Sequence, residues 1–134
     1  MREIEAISGV FTNDKRDKVL LLRRSLNRTY DPTKWDLMGG DIMPNETPYH
    51  ALIRDALEKL NLPFCMVMDT KRVTTEVVDA YITRYVFICL SDYRGLSVNL
   101  RKYDEFTWAT ALGTKTFELT DHARTVLKAI GFTR

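Results

Sequence analysis

The chain has 134 residues, 45% of them hydrophobic and 28% charged, with a formal net charge of +2. That length suits a single domain over residues 1–134 and is too short for two comfortable ones, and the composition is that of an ordinary soluble globular protein. The excess of positive charge is too small to argue for a nucleic-acid partner.

In chain order, Ile4 to Phe11 and Lys18 to Arg24 read as strands, joined by the turn-rich Thr12-Asn13-Asp14-Lys15-Arg16-Asp17. Val19-Leu20-Leu21-Leu22 is a continuous apolar run, which predicts a central strand covered on both faces. Ser25 to Lys34 reads as a polar loop, and Trp35-Asp36-Leu37-Met38 as a short strand-like run before Gly39-Gly40. Cys65 to Lys71 and Val73 to Leu90 supply more strands, with a hairpin turn near Thr75 to Asp79 and boundaries that periodicity leaves open. Asp92-Tyr93-Arg94-Gly95 signals a turn. Asp104 to Trp108 leads into an apolar run, and Thr120-Asp121 to Ile130 reads as a closing helix stopped by Gly131. Strands, helix, strands, helix suggest a mixed sheet between helices.

The helix between these strand groups has clear ends. Thr47 is a good N-cap and Pro48 fits the first helical position; Asn61 and Pro63 give the stop. At roughly 100° per residue, Leu52, Ala56, Tyr49, Leu60, Ile53 and Leu57 fall within an arc of about 140°, which predicts the core face. Ala51, Glu58, Asp55 and Lys59 lie opposite, at spacings that make Asp55 and Glu58 neighbours. Two readings follow: Asp55 and Lys59 as an ordinary i, i+4 surface pair, or a carboxylate pair that holds a divalent cation. The glycines favour the second, because Gly39-Gly40 permits close backbone approach to an ion or phosphate.

Gly40, five residues, Glu46, seven residues, Arg54 and then an acid is similar to the first half of the Nudix box, the signature of MutT-like pyrophosphohydrolases. Trp35-Asp36-Leu37-Met38-Gly39-Gly40 also resembles that family's Trp-x-x-Pro-Gly-Gly approach, with Met38 in place of Pro. Gly40, Glu46, Arg54, Glu58 and Leu62 fit the box outright. Asp55 is a shortened acid, Ala56 is small for its slot, Asn61 replaces Gly, and Lys59 replaces Glu. The likeness is motif-level over residues 35–62 and pattern-level elsewhere.

The resemblance implies an α/β/α sandwich with a mixed β-sheet between helices. It also implies Mg²⁺ or Mn²⁺, held by Asp55, Glu58 and the Gly39 carbonyl, with a further acid as ligand or base. Glu105 is the candidate for that acid, since Glu105-Phe106-Thr107-Trp108 resembles the late Glu-x-x-Trp strand of many Nudix proteins. Glu46 and Arg54 would form a salt bridge that shapes the loop from Gly40. Lys59 changes the balance: with Asp55 and Glu58 it leaves the helix site at a net −1 where three carboxylates would bring −3. Its ammonium repels a metal ion by several kcal/mol at an effective dielectric near 20 and about 4 Å. Either the stem swings outward, or Lys59 meets substrate phosphate directly. Arg23 and Arg24, with Arg28 and Lys34 nearby in sequence, are further phosphate candidates, although a solvated loop also accounts for them.

Two functions therefore stand. One is a Nudix-type pyrophosphohydrolase that cleaves a nucleoside diphosphate linked to another group, or a nucleoside triphosphate. The other is a catalytically impaired module that binds a nucleotide or a protein. Family members are often dimers, which makes a homodimer one expectation. No signal peptide, transit segment or long apolar span is visible, so a cytoplasmic protein with no membrane partner is the default expectation. Cys65 and Cys89 read as buried free thiols. Gly113-Thr114-Lys115-Thr116 lacks the upstream glycine of a phosphate-binding loop. His50, Tyr30 and Trp35 are weaker contacts for a nucleotide.

Overall fold

Val19-Leu20-Leu21-Leu22 lies at the centre of the molecule, each side chain 2% exposed or less. Alternation along the strand sends Leu20 and Leu22 to one core and Val19 and Leu21 to another, as a period of two requires. The computed structural model describes residues 1–91 and 95–134. The turn expected at Asp92-Tyr93-Arg94 falls outside the described residues.

In chain order the elements are β1 (Arg2–Thr12), β2 (Lys18–Arg24), β3 (Trp35–Asp36), β4 (Met38–Asp41), α1 (Pro48–Leu60), β5 (Met66–Val77), β6 (Ala80–Leu90), β7 (Tyr103–Thr110) and α2 (Asp121–Ala129), with a 3-10 turn at Gly113–Thr116. The strands form one mixed sheet. Its main path runs β3-β2-β1-β6-β5, with β4 paired to β1 and β7 to β2. β1 runs parallel to β6, and the other pairings are antiparallel. β1 pairs with β2 only where Thr12 meets Val19, while Ala6 to Gly9 pair with β4. That split lets β4 enter beside β1 and present Gly39-Gly40 to α1.

Each helix covers one core. Ala51, Leu52, Ala56 and Leu60 of α1 pack with Ile7, Phe11, Leu20, Met38 and Phe87. Ala123, Val126 and Leu127 of α2 pack with Val10, Val19, Leu21, Leu37 and Val86. Each fully buried Leu contributes about 1.5–3 kcal/mol of transfer free energy, so both layers are held mainly by apolar burial. The result is the α/β/α sandwich with a mixed sheet that the sequence predicts. No helix among the described residues is long and apolar enough to cross a membrane.

The structure corrects two expectations. β5 is continuous through Lys71 and Val73, with a register shift between Val67 and Asp69; its mostly exposed side chains mark it as a sheet edge, where apolar periodicity carries little signal. The hairpin turn falls at Val78-Asp79, within the expected stretch Thr75 to Asp79, with Asp79 taking φ 63°. The core face of α1 is also rotated from the predicted arc: Ala51 and Asp55 are buried, whereas Tyr49 and Leu57 are 47% and 53% exposed. The helix caps lie where the sequence puts them. Thr47 Oγ1 accepts from His50 N at 3.1 Å, and Asn61 is left-handed at φ 54°. Cys65 and Cys89 are buried free thiols.

Candidate active site at the glycine loop

The site begins with a close approach of strand to helix. Ser8 pairs with Gly39 and Ile7 with Gly40, which fixes β4 against β1. A Cβ on Gly40 would lie 2.5 Å from Asp55 Oδ2 and 3.1 Å from Lys59 Nζ. The absence of that carbon is what admits both side chains beneath the strand, and it explains why α1 turns Asp55 inward.

The loop leading into α1 is held by Glu46 and Arg54. Arg54 Nε donates to Glu46 Oε2 at 2.7 Å and Nη2 to Oε1 at 3.0 Å. Met43 N adds a bond to Oε1 at 2.8 Å, and Arg54 Nη2 reaches the Asp41 carbonyl at 3.1 Å. This two-pronged pairing is the geometry in which a guanidinium binds a carboxylate best. The Arg54 bonds, helped by the Met43 N–H, hold the Glu46 carboxyl below its ordinary range. Arg54 Nη1 also lies 3.4 Å from Asp55 Oδ1 and 3.5 Å from Glu58 Oε2, so one guanidinium faces all three acids.

Beyond Arg54 the arrangement changes. Lys59 Nζ donates to the Gly39 carbonyl at 2.6 Å and to Asp55 Oδ2 at 3.0 Å. Neither side chain is solvated as a surface pair would be: Lys59 is 13% and Asp55 4% exposed. Burial pushes the Asp55 carboxyl above its usual range, against the opposing charge and hydrogen bond of Lys59. The stem of Lys59 points inward.

These positions bear directly on a divalent ion. A Mg²⁺ or Ca²⁺-sized cation needs oxygens within about 2.0–2.6 Å. An ion shared by the Gly39 carbonyl and Asp55 Oδ2 would occupy the volume of the Lys59 ammonium, which both oxygens already receive. Glu58 is 64% exposed and paired with Arg54. Among the described residues no three His, Cys, Asp or Glu side chains cluster to hold a metal. The donor set in this arrangement does not fit the ion.

Glu105, the candidate for a further acid, stands opposite Arg23 in the β2–β7 register, with Arg23 Nη1 3.2 Å from Glu105 Oε2. Arg23 also binds Asp104 at 2.7 Å and lies over the Trp35 ring at 5.9 Å. Among the described residues, no hydrogen bond or ion pair links Glu105 or Arg23 to Asp55, Glu58 or Lys59. Trp35 packs edge-on against Phe117, 5.0 Å between centroids, in the α2 core.

A cavity of about 390 Å³ opens along Gly39-Gly40-Asp41. Arg24, Arg28, Arg84, Tyr30 and His122 line it, and so do the acids Asp31, Asp36, Asp41 and Asp121. Arg24 binds Asp36 at 3.3 Å and the Tyr30 carbonyl at 2.9 Å; Arg28 lies over the Tyr103 ring at 6.0 Å. Arg84 sits beside Ala6 through the parallel β1–β6 pairing and donates to Thr75 Oγ1 at 3.1 Å. It forms no ion pair among the described residues, and burial draws its guanidinium down from its ordinary value.

His122 backs Gly39 closely enough that a Cβ there would lie 2.8 Å from its Cε1. Its Nε2 is 2.6 Å from Ser8 Oγ and its Nδ1 is 2.9 Å from Asp36 Oδ1. The order Ser–His–Asp resembles a nucleophilic triad. Ser8 is 0% exposed within the sheet, however, so the network ties α2 to β1 and β3 and has no open nucleophile. Thr120 Oγ1 and Leu37 N complete the bonding of Asp36 at 2.7 and 2.8 Å. Burial alone would raise the Asp36 carboxyl, but these bonds outweigh it and leave it lowered.

His122 and Arg84 carry no local signal of the cavity in the sequence, and Asp36 carries only a weak one. Residues 36 and 122 meet only when α2 docks, and residue 84 reaches the cavity only through a long-range parallel pairing. A cue to Asp36 lay in its place two residues before Met38-Gly39-Gly40.

A mixed sheet between two helices, with a glycine strand, an acid-bearing helix and a cavity lined by arginines and aspartates at one end, defines an α/β/α sandwich domain. A NUDIX domain profile matches residues 3–112. The chain belongs to the NUDIX family. It is 30% identical over 137 residues to the nucleoside triphosphatase NudI of Enterobacter sp. (strain 638), covering 92% of this chain and 94% of that protein. The crystal structure of the MutT protein from Methanosarcina mazei Go1 has the same fold, with a TM-score of 0.79, 22% identity and coverage of 96% and 92%. A bifunctional NMN adenylyltransferase/ADP ribose pyrophosphatase from Francisella tularensis, complexed with AMP and a Mn ion, superposes with a TM-score of 0.76 and 15% identity, covering 96% of this chain and 41% of that one.

Proposed function

We propose that the chain is a nucleotide pyrophosphohydrolase, acting on a nucleoside triphosphate or on a nucleoside diphosphate joined to another group. The observation that carries this reading is the cavity beside Gly39-Gly40, lined by Arg24 and Arg28 from the end of β2 and the loop after it and by Arg84 from β6, together with Asp31, Asp36, Asp41 and Asp121. Arginine suits phosphate oxygens because its planar fork offers paired donors. Relatives named as a nucleoside triphosphatase and an ADP ribose pyrophosphatase support the same substrate class.

Hydrolysis requires a water delivered to phosphorus and cationic groups that offset charge on the departing phosphate. Arg28 and Arg84, which form no ion pair among the described residues, supply that offset from the cavity wall, whereas Arg24 is already paired with Asp36. The reading assigns the base to Glu58, the solvent-open carboxylate of α1, held by Arg54 at 3.5 Å. Glu105 is the alternative base, and its use requires release from Arg23. Mg²⁺ or Mn²⁺, the general cofactors of the family, remain part of the test, although no step here depends on them.

The Lys59 contacts favour a second reading: a domain that binds the nucleotide without turning it over. One panel separates the two. Nucleoside triphosphates, nucleotide sugars, ADP-ribose and dinucleotides are incubated with wild type, Glu58→Gln and Lys59→Glu, in Mg²⁺, Mn²⁺ or EDTA. Hydrolysis by wild type that Glu58→Gln abolishes is the expected result. No turnover by wild type, with turnover gained in Lys59→Glu, establishes the binding module instead.

A further inference from the structure

We infer that the Lys59 ammonium is a tethered cation standing where a divalent ion would otherwise sit, so that this site takes the pyrophosphate of its nucleotide without a metal. The inference deepens the proposed nucleotide site and rests on it. Three observations meet at one atom. Lys59 Nζ holds the Gly39 carbonyl at 2.6 Å and Asp55 Oδ2 at 3.0 Å, two oxygens of the kind that would bind a hard cation. The pair is withdrawn from water, the two side chains being 13% and 4% exposed. Space for the ammonium is also built in, since a Cβ on Gly40 would stand 3.1 Å from Nζ.

An ammonium has three donors. Two are spent on these oxygens, and among the described residues the third has no protein acceptor. Lys59 does not itself line the cavity, but Gly39, whose carbonyl it holds, does, and a phosphate oxygen reaching that strand would complete its set. A metal carries two charges and leaves with changes in free-ion concentration; a lysine carries one and cannot leave. The site therefore trades strong polarisation of phosphate for permanence. Binding of phosphates becomes independent of divalent ions, and any turnover becomes slow.

Two titrations test this on the full chain. Mn²⁺ alone is titrated by electron paramagnetic resonance into wild type, Lys59→Glu and the charge-neutral double variant Asp55→Asn/Lys59→Met. Lys59→Glu is expected to bind Mn²⁺ at least about 100-fold more tightly than wild type, as removing a like charge and adding a carboxylate ligand requires. Inorganic pyrophosphate is then titrated calorimetrically in EDTA. Wild type is expected to bind it, and the double variant, which keeps the buried site free of an unpaired charge, to bind it about tenfold more weakly. Lys59→Arg restores part of that loss. Wild-type binding of Mn²⁺ as tight as that of Lys59→Glu overturns the inference, as does pyrophosphate binding that appears only with Mn²⁺ present. A nucleotide panel without any binding or hydrolysis sinks the proposed function and leaves the Mn²⁺ comparison unaffected. Tight Mn²⁺ binding by wild type, conversely, leaves the nucleotide reading standing.

Discussion

The two halves of the glycine-loop motif, only a few residues apart, have different fates. Glu46 and Arg54 form a two-pronged pair that fastens the loop to α1, with added bonds from Met43 N and to the Asp41 carbonyl. Asp55, Glu58 and Lys59, one turn on, hold a lysine where the family resemblance calls for acid around an ion. Loop shape and ion holding are thus separable physical tasks. The first depends on a carboxylate–guanidinium fork that is satisfied within the protein. The second depends on net negative charge left unsatisfied for an ion, and a single ammonium satisfies it. Lys59, bonded to the Gly39 carbonyl and to Asp55, is itself part of the scaffold.

If that comparison holds, the largest effect belongs to Lys59. Lys59→Met leaves the buried Asp55 carboxylate with only the 3.4 Å contact from Arg54, and the Gly39 carbonyl without its donor. Breaking a buried pair from one side costs about 3–5 kcal/mol, and the remaining Arg54 contact places this case near about 3 kcal/mol. Urea unfolding measures it. Asp55→Asn/Lys59→Met, which removes both charges, should recover most of the loss. A single variant as stable as wild type would show that the pair is not structural and break the comparison.

A smaller loss is expected in the other half. Arg54→Lys keeps the charge but cannot span both oxygens of Glu46 or reach the Asp41 carbonyl as well. Losing part of a charge-assisted set costs about 1–2 kcal/mol in urea unfolding. Because Asp55 keeps Lys59, this cost should add to that of a distant substitution but not to that of Lys59→Met, since Arg54 and Lys59 share Asp55.

The loop-shaping half was also the more legible in sequence. Thr47, Pro48 and Asn61 act through their own backbone neighbours, so the limits of α1 can be read locally. The same holds for Val19 to Leu22, whose unbroken apolar run already implies two covered faces. Rotation of α1 is different. Asp55 looks like a surface residue by periodicity and is buried because Gly40, on another element, leaves room for it. The direction of Lys59 follows from that same gap. Arg84 and His122 enter through parallel pairing and α2 docking, so no window of sequence around either residue points to the cavity. The identity of Lys59 raised the question of a disabled ion site; only its position gives a physical answer.

The smallest effect expected is a pair of slopes of opposite sign. The Arg54 hydrogen bonds hold the Glu46 carboxyl low, whereas burial holds the Asp55 carboxyl high. For Glu46 the unfolded chain binds its proton more readily than the fold does. Its contribution is therefore complete above the ordinary carboxyl range and is lost as pH falls through the lowered value. Asp55 works the other way: the fold binds the proton more readily, so its contribution is greatest at low pH and falls as pH rises through the raised value. Urea midpoints measured from pH 7 down to pH 3 separate the two. Glu46→Gln should lose less stability on acidification than wild type, and Asp55→Asn should lose more. Equal slopes in both variants would mean that the two acids occupy similar environments, and the division between a satisfied fork and a buried, lysine-capped carboxylate would fall with them.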